Sequence, residues 1–175
     1  WDARNRYLFA SIGYYGNGSS FHLWRFMIDA RYQGMGFGRR ALDAEPALAK
    51  RVELMCERLP SPRLPRARFD ALLSNSLLHH LNDPATLWRS VVEYGRPGAP
   101  VLVMDLLRPD NREQAEQLVK TYASGEANIL QQDFFNSLLA AYHPDEVRLQ
   151  LQQQGIDQLE IEVVSDRHFI VSGRL

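Results

Sequence analysis

The sequence predicts an α/β fold with a mainly parallel sheet, an antiparallel hairpin at its C-terminal end and an N-terminal half short of elements. Three observations predict it. From Phe69 onward the chain reads strand, helix, strand, helices and a closing pair of strands, the order of an α/β sheet. The run "APVLVMDLLRP" is almost wholly apolar over strand length, as expected of a central strand buried on both faces. Ahead of these, "QGMGFG" alternates glycines between a strand-like and a helix-like run, the pattern of a loop that wraps an anion.

The elements follow in order. "RYLFASIGYYG" and "SSFHLWRFMID" are aromatic and β-branched, and "NGS" between them signals a hairpin. Pro46 disfavours a helix running through "RRALDAEPALAK". "RVELMCERL" alternates like a strand, and "SPRLPRAR" is a proline-broken loop. "FDALLSNS" is a short strand with a polar turn. In "DPATLWRSVVEYG", Leu87, Val91 and Tyr94 fall at helical spacing between Pro84 and Gly95. Helical patterns recur at "NREQAEQLVKTYAS", "QQDFFNSLLAAY" and "HPDEVRLQLQQQG". "LEIEVVSD" and "RHFIVSGRL" read as strands joined by a tight turn at Asp166–Arg167. The "RVEL", "FDALL" and "VLVMD" strands are expected to form the parallel core, with the N-terminal hairpin at its edge.

Composition narrows the function classes. With 175 residues, 45% hydrophobic and 23% charged, one folded domain or two small ones is expected. A net charge of −1 points to neither nucleic acid nor an anionic membrane, and the arginines of residues 58–68 read as a solvated loop. Cys56 is the only cysteine and sits in an apolar run as a small core residue, so no disulfide framework or cysteine zinc site is expected. Five scattered histidines make no metal site. No apolar run spans a membrane and no leader pattern opens the chain, which predicts a cytoplasmic protein. Beginning at Trp1, the chain reads as clipped.

Two family resemblances lie on these residues. "LWRFMIDARYQGMGFGRRAL" resembles the acetyl-CoA-binding segment of GNAT-type N-acetyltransferases over about residues 8–42. It implies a pyrophosphate held by the backbone of Gln33, Gly34, Met35, Gly36, Phe37 and Gly38. The strand and helix carrying that family's usual general acid have no counterpart here. From about residue 42 to the end, "FDALLSNSLLHHLNDPATLWRSVVEYGRPGAPVLVMDLLRP" and the helices and hairpin after it resemble class I S-adenosylmethionine-dependent methyltransferases. That resemblance implies a Rossmann-like sheet and an S-adenosylmethionine site. Asp43 would bind the ribose hydroxyls, Glu57 would lie near the adenine amino group with Arg58 beside it, and Asn75 and Ser76 would line the methionine moiety. Gly34, Gly36 and Gly38 would serve as the glycine loop.

His79 and His80 form the "HHL" signature, and His80 is the candidate general base. Asp105 and Arg108 read either as acceptor-pocket residues or as a helix cap and a surface charge. His143 and His168 read as structural.

The two resemblances meet near residues 39–43. Only Arg39 to Leu42 separate Gly38 from Asp43, too few for the dozen or so residues of a parallel crossover. A chimera, a degenerate fusion or a sequence lacking stretches of a longer protein would each give this junction, with segments 1–42 and 43–175. The leading expectation is an S-adenosylmethionine-dependent methyl transfer to a small-molecule acceptor. The alternatives are acetyl-CoA binding, or a non-catalytic module that forms a homodimer through an uncovered sheet edge.

Overall fold

The computed structural model describes residues 59–175 throughout and, ahead of them, the backbone of four short strands. These are β1 (Leu8–Ala10), β2 (Phe21–His22), β3 (Phe26–Ile28) and β4 (Val52–Glu53). The chain divides into two compact units, Trp1–Glu57 and Arg58–Leu175.

In the first unit β1 pairs antiparallel with β3, Leu8 opposite Ile28 and Ala10 opposite Phe26. That register is symmetric about Gly18, inside the "NGS" turn signal. β2 pairs with β4 in parallel, so the described partner of the "RVEL" strand is Phe21–His22. Gln33 to Gly38, Asp43, Cys56, Glu57 and Arg58 lie outside the described residues.

The second unit is built on one four-stranded sheet. β5 (Leu72–Asn75) leads through a 3-10 turn (Leu78–His80) and α1 (Ala85–Tyr94) into β6 (Pro100–Leu106). Then come α2 (Arg112–Ala123), α3 (Asn128–Ala140), α4 (Pro144–Gln153), β7 (Glu160–Ser165) and β8 (His168–Arg174). The strand order is β5-β6-β8-β7. β5 and β6 are parallel, joined by the α1 crossover, and β8 runs antiparallel between β6 and β7. The α/β class and the C-terminal hairpin are those the sequence predicts, with Asp166 and Arg167 as the two turn residues.

Local chemistry sets the helix ends. Asn111 caps α2, its Oδ1 accepting the Gln114 N–H at 2.8 Å. Pro144 opens α4, and Glu146 reaches back to accept the His143 N–H at 2.7 Å. α1 ends at Gly95, whose N–H still donates to the Val91 carbonyl at 3.1 Å. A Cβ at Gly95 would collide with methyls of Leu72 and Leu175 and approach the Val91 carbonyl to 3.0 Å. The turn is therefore closed by the absence of a side chain.

Strand parity decides what is buried. The registers line Leu72 and Ser74 with Val101, Val103, Val171 and Phe169 on one face, and all six are buried. α1 contributes Leu87, Trp88 and Val91 to the core, and α4 contributes Val147 and Leu151. The Trp88 indole N–H ties the two helices by donating to Gln150 Oε1 at 2.9 Å. On the opposite face of β6, Leu102 is 41% exposed. The apolar run of β6 is thus buried along the whole of one face, and on the other only at its end, where Leu106 is covered. A satellite core joins Leu106 to Ala115 and Leu118 of α2, Phe135 and Leu138 of α3, and Ala141. Among the described residues no helix is long and apolar enough to cross a membrane.

Two stability changes follow from this packing. Ser74 Oγ is buried with no hydrogen-bond partner, so Ser74→Ala removes an unmet desolvation cost and raises unfolding stability by about 1 kcal/mol. Gly95→Ala forces the two leucine methyls aside against a fixed carbonyl and lowers it by roughly 1–3 kcal/mol. Urea unfolding followed by tryptophan fluorescence measures both; a destabilised Ser74→Ala or an unchanged Gly95→Ala contradicts the packing described.

Candidate active site

In an open α/β sheet, ligands sit beyond the carboxyl ends of the strands. β5 and β6 run in parallel, so Asn75 and Asp105 approach the same edge, with Asn75 opposite Met104. The chain leaves β5 through Ser76 at a φ of 51°, the left-handed region that few residues with a side chain adopt. The Ser76 N–H donates back to the Met104 carbonyl at 2.9 Å. This sharp exit leaves Asn75 and Ser76 half-buried at the edge.

The 3-10 turn that follows is locked to β6 through one carboxylate. Asp105 is 1% exposed. Its Oδ2 accepts the Leu78 N–H at 2.7 Å, and its Oδ1 lies 2.5 Å from His79 Nδ1 and accepts the Leu106 N–H at 2.8 Å. Burial alone would push this carboxyl up. The hydrogen bond and charge of His79, with the two backbone N–H groups, outweigh burial and hold it below the ordinary aspartate range. Asp105 therefore faces inward. Neither an open pocket nor a helix cap describes it.

Adjacent residues of a 3-10 turn point about 120° apart. His79 is accordingly buried against Asp105 and His80 is exposed, their rings 4.0 Å apart. His80, the predicted base, lies on the solvent side, and the histidine held by a carboxylate is its neighbour.

Past β6 the chain is held again. The Leu107 N–H donates to the Arg167 carbonyl at 2.8 Å, and Leu107 bridges to Tyr142. Arg108 Nε donates to the Ala141 carbonyl at 2.7 Å, and its guanidinium meets Glu146 at 3.0 Å. Arg108 thus anchors the start of α4. Tyr142, which the sequence reading passed over, is half-buried beside this strand exit. Burial and then Glu146 push its phenol above the usual tyrosine range, with Asp105 and Asp83 adding to the shift against Arg108. It stays a neutral hydrogen-bond donor at physiological pH. His143 and His168 are structural, one opening α4 and the other lying 3.1 Å from Ser165 Oγ in the closing hairpin. Among the described residues no His, Cys, Asp and Glu group could hold a metal ion.

Of the sequence-predicted site residues, the fold brings Asn75 and Ser76 to the edge beside the Asp105–His79 pair. The signal for Asp105 was strand parity: it follows Val101 and Val103 on the inward-facing positions of β6.

The carboxylate has a pH signature. Because its folded-state pKa is lowered, its contribution to stability is complete above about pH 4, the ordinary aspartate value. It is lost as pH falls through the lower folded value. Asp105→Ala strands buried donors and lowers stability by about 3 kcal/mol at pH 7, and flattens the acid limb of stability against pH; urea midpoints across pH 2–7 check it.

Comparison with known proteins gives the family and the fold. Residues 15–103 match the family model of a methyltransferase domain. The match spans the glycine stretch, Asn75, Ser76 and both histidines. No curated protein matches the chain. Among solved structures, it is similar to a SAM-dependent methyltransferase from Aquifex aeolicus at 16% identity and a TM-score of 0.54, covering 79% of this chain and 62% of that one. It is also similar to a possible exported protein from Bordetella parapertussis at 23% identity and a TM-score of 0.57, covering 82% and 51%. The shared feature is the fold. The chain spans about half to three-fifths of the length of these structures.

Proposed function

The chain belongs to the methyltransferase-domain family, and on that premise we propose that it binds S-adenosylmethionine at the carboxyl edge of the β5–β6 sheet and transfers the methyl group to a small-molecule acceptor. The observation that carries this reading is the edge itself. A left-handed exit from β5 presents Asn75 and Ser76, and a buried carboxylate holds the next turn rigidly to β6.

The polar groups fit such a ligand. The amide of Asn75 and the hydroxyl of Ser76 are neutral hydrogen-bonding groups, suited to the zwitterionic methionine end of the molecule. By the family resemblance Gly34, Gly36 and Gly38 are assigned as the glycine loop, Asp43 to the ribose hydroxyls and Glu57 to the adenine. S-adenosylmethionine supplies a methyl group already activated on a sulfonium. The protein's share is then to orient an acceptor in line with that methyl and to exclude water. Those tasks call for a rigid edge more than for a reactive side chain.

Calorimetric titration with S-adenosylmethionine, and separately with acetyl-CoA, tests the reading. The expected result is heat with the first alone, lost in Asp43→Ala and weakened at least tenfold in Asn75→Ala, a loss of about 1.4 kcal/mol. Binding of acetyl-CoA alone, abolished by Gly36→Glu, would replace this reading with that of an acyl-CoA-binding fold.

A further inference from the structure

We propose that the hydroxyl of Tyr142 is the group that seats the methyl acceptor and selects an uncharged or cationic one, an inference that rests on the methyl-transfer reading above. Tyr142 extends the carboxyl end of β6. Its carbonyl accepts the Arg108 N–H at 3.2 Å, and it bridges in parallel to Leu107. The charges that act on its phenol locate the ring. They are Glu146 of α4 with its partner Arg108, Asp105 at the end of β6, and Asp83 in the loop after the 3-10 turn. The phenol therefore lies between that loop and α4, on the edge that carries Asn75 and Ser76.

The hydroxyl is unclaimed. Among the described residues it makes no hydrogen bond, and the carboxylates around it are already engaged. Glu146 accepts from Arg108 and from the His143 N–H, and Asp105 accepts from Leu78, His79 and Leu106. Asp83 accepts from Arg89 and from the Ala85 N–H. Among the described residues the buried side-chain polar atom without a partner is Ser74 Oγ, so the Tyr142 oxygen reaches solvent. The ring is half-buried while its oxygen is open, an apolar body with a polar tip left for a ligand.

A phenol both donates and accepts a hydrogen bond, so it can hold an alcohol, another phenol or an amine. It does not suit an anion. Burial and the carboxylates of Glu146, Asp105 and Asp83 keep the phenol itself from ionising. A negative group seated against it meets the same opposition. Arg108, the cation among these groups, is taken up by Glu146 and the Ala141 carbonyl. The acceptor class is thus a small polar molecule that presents a hydroxyl or amino group to Tyr142, and not a carboxylate.

The probe of the acceptor side is carried in on the frame of the cofactor. Analogues of S-adenosylhomocysteine with nitrogen in place of sulfur bear, on that nitrogen, a short alkyl chain ended by hydroxyl, amine, carboxylate or methyl, at several chain lengths. Calorimetry on the whole chain is expected to show the hydroxyl-ended or the amine-ended analogue binding about fivefold tighter than the methyl-ended one, the worth of one hydrogen bond. The carboxylate-ended analogue should bind more weakly than both. In Tyr142→Phe, which keeps the ring, that preference should vanish, while the affinity for S-adenosylhomocysteine and the urea midpoint stay unchanged. A preference that survives in Tyr142→Phe, equal binding of all the end groups, or tightest binding of the carboxylate overturns the proposal. So does a loss of S-adenosylhomocysteine affinity in Tyr142→Phe, which would put the hydroxyl on the cofactor instead. Failure of S-adenosylhomocysteine to bind the unaltered chain overturns the methyl-transfer reading, and this inference with it.

Discussion

The carboxylate of Asp105 is the constraint on which the edge of the second unit depends. A buried carboxylate costs several kcal/mol unless charge-assisted hydrogen bonds replace its water. Here the replacements come from three residues, Leu78, His79 and Leu106, on two strand ends. The bonds from Leu78 and His79 are satisfied only when the turn after β5 sits against the end of β6. The cost of burial thus becomes a geometric requirement: displacing the turn leaves an ionised group in the core with the Leu106 N–H alone of its three partners. The left-handed Ser76 fits the same logic, since its N–H to Met104 starts the turn in the direction that brings Leu78 to Asp105.

Further contacts carry this order outward along β6. Its exit is pinned to the β7–β8 turn through Leu107 and to the start of α4 through Arg108. The tip of that turn is held in addition by α2, where Tyr122 donates to Asp166 at 2.7 Å and the Arg167 guanidinium lies 3.4 Å from the Tyr122 ring centre. Exposed polar contacts of this kind contribute little energy one by one. Their effect is to fix positions, and the satellite core of α2 and α3 on Leu106 supplies the apolar burial that energy requires.

Much of this unit could be read from sequence, because its signals are local. The spacing of Leu87, Val91 and Tyr94 gave α1 its buried face, and all three are at most 1% exposed. Gly95 marked the end of α1, and the helical patterns opening at Asn111 and His143 marked the starts of α2 and α4. Placing Asn75 and Ser76 needed only the rule that ligands gather at carboxyl edges. What sequence did not resolve depends on groups far apart in the chain. "HH" says nothing of which ring turns inward, because that is decided by a carboxylate 26 residues away. Arg108 read as a candidate for the acceptor side for the same reason: Glu146, its partner, is 38 residues on. The covering of β6 was legible only in part: an apolar run reports what a strand could bury, and on its second face only the Leu106 end is covered. The glycine stretch and Asp43 lie outside the described residues, within the span of the family match.

Methyl transfer from an activated donor places its demands on alignment, since an in-line displacement is sensitive to errors well below the length of a bond. A strand-end loop is ordinarily the most mobile part of an α/β unit. Anchoring such a loop through apolar contacts alone would leave it free to slide, because dispersion is weakly directional. A buried carboxylate accepting from fixed N–H groups is directional, and its full set of bonds exists at one position only. That is why a charged residue stands where strand parity calls for another valine, and why the polar edge beside it can be held still without being covered.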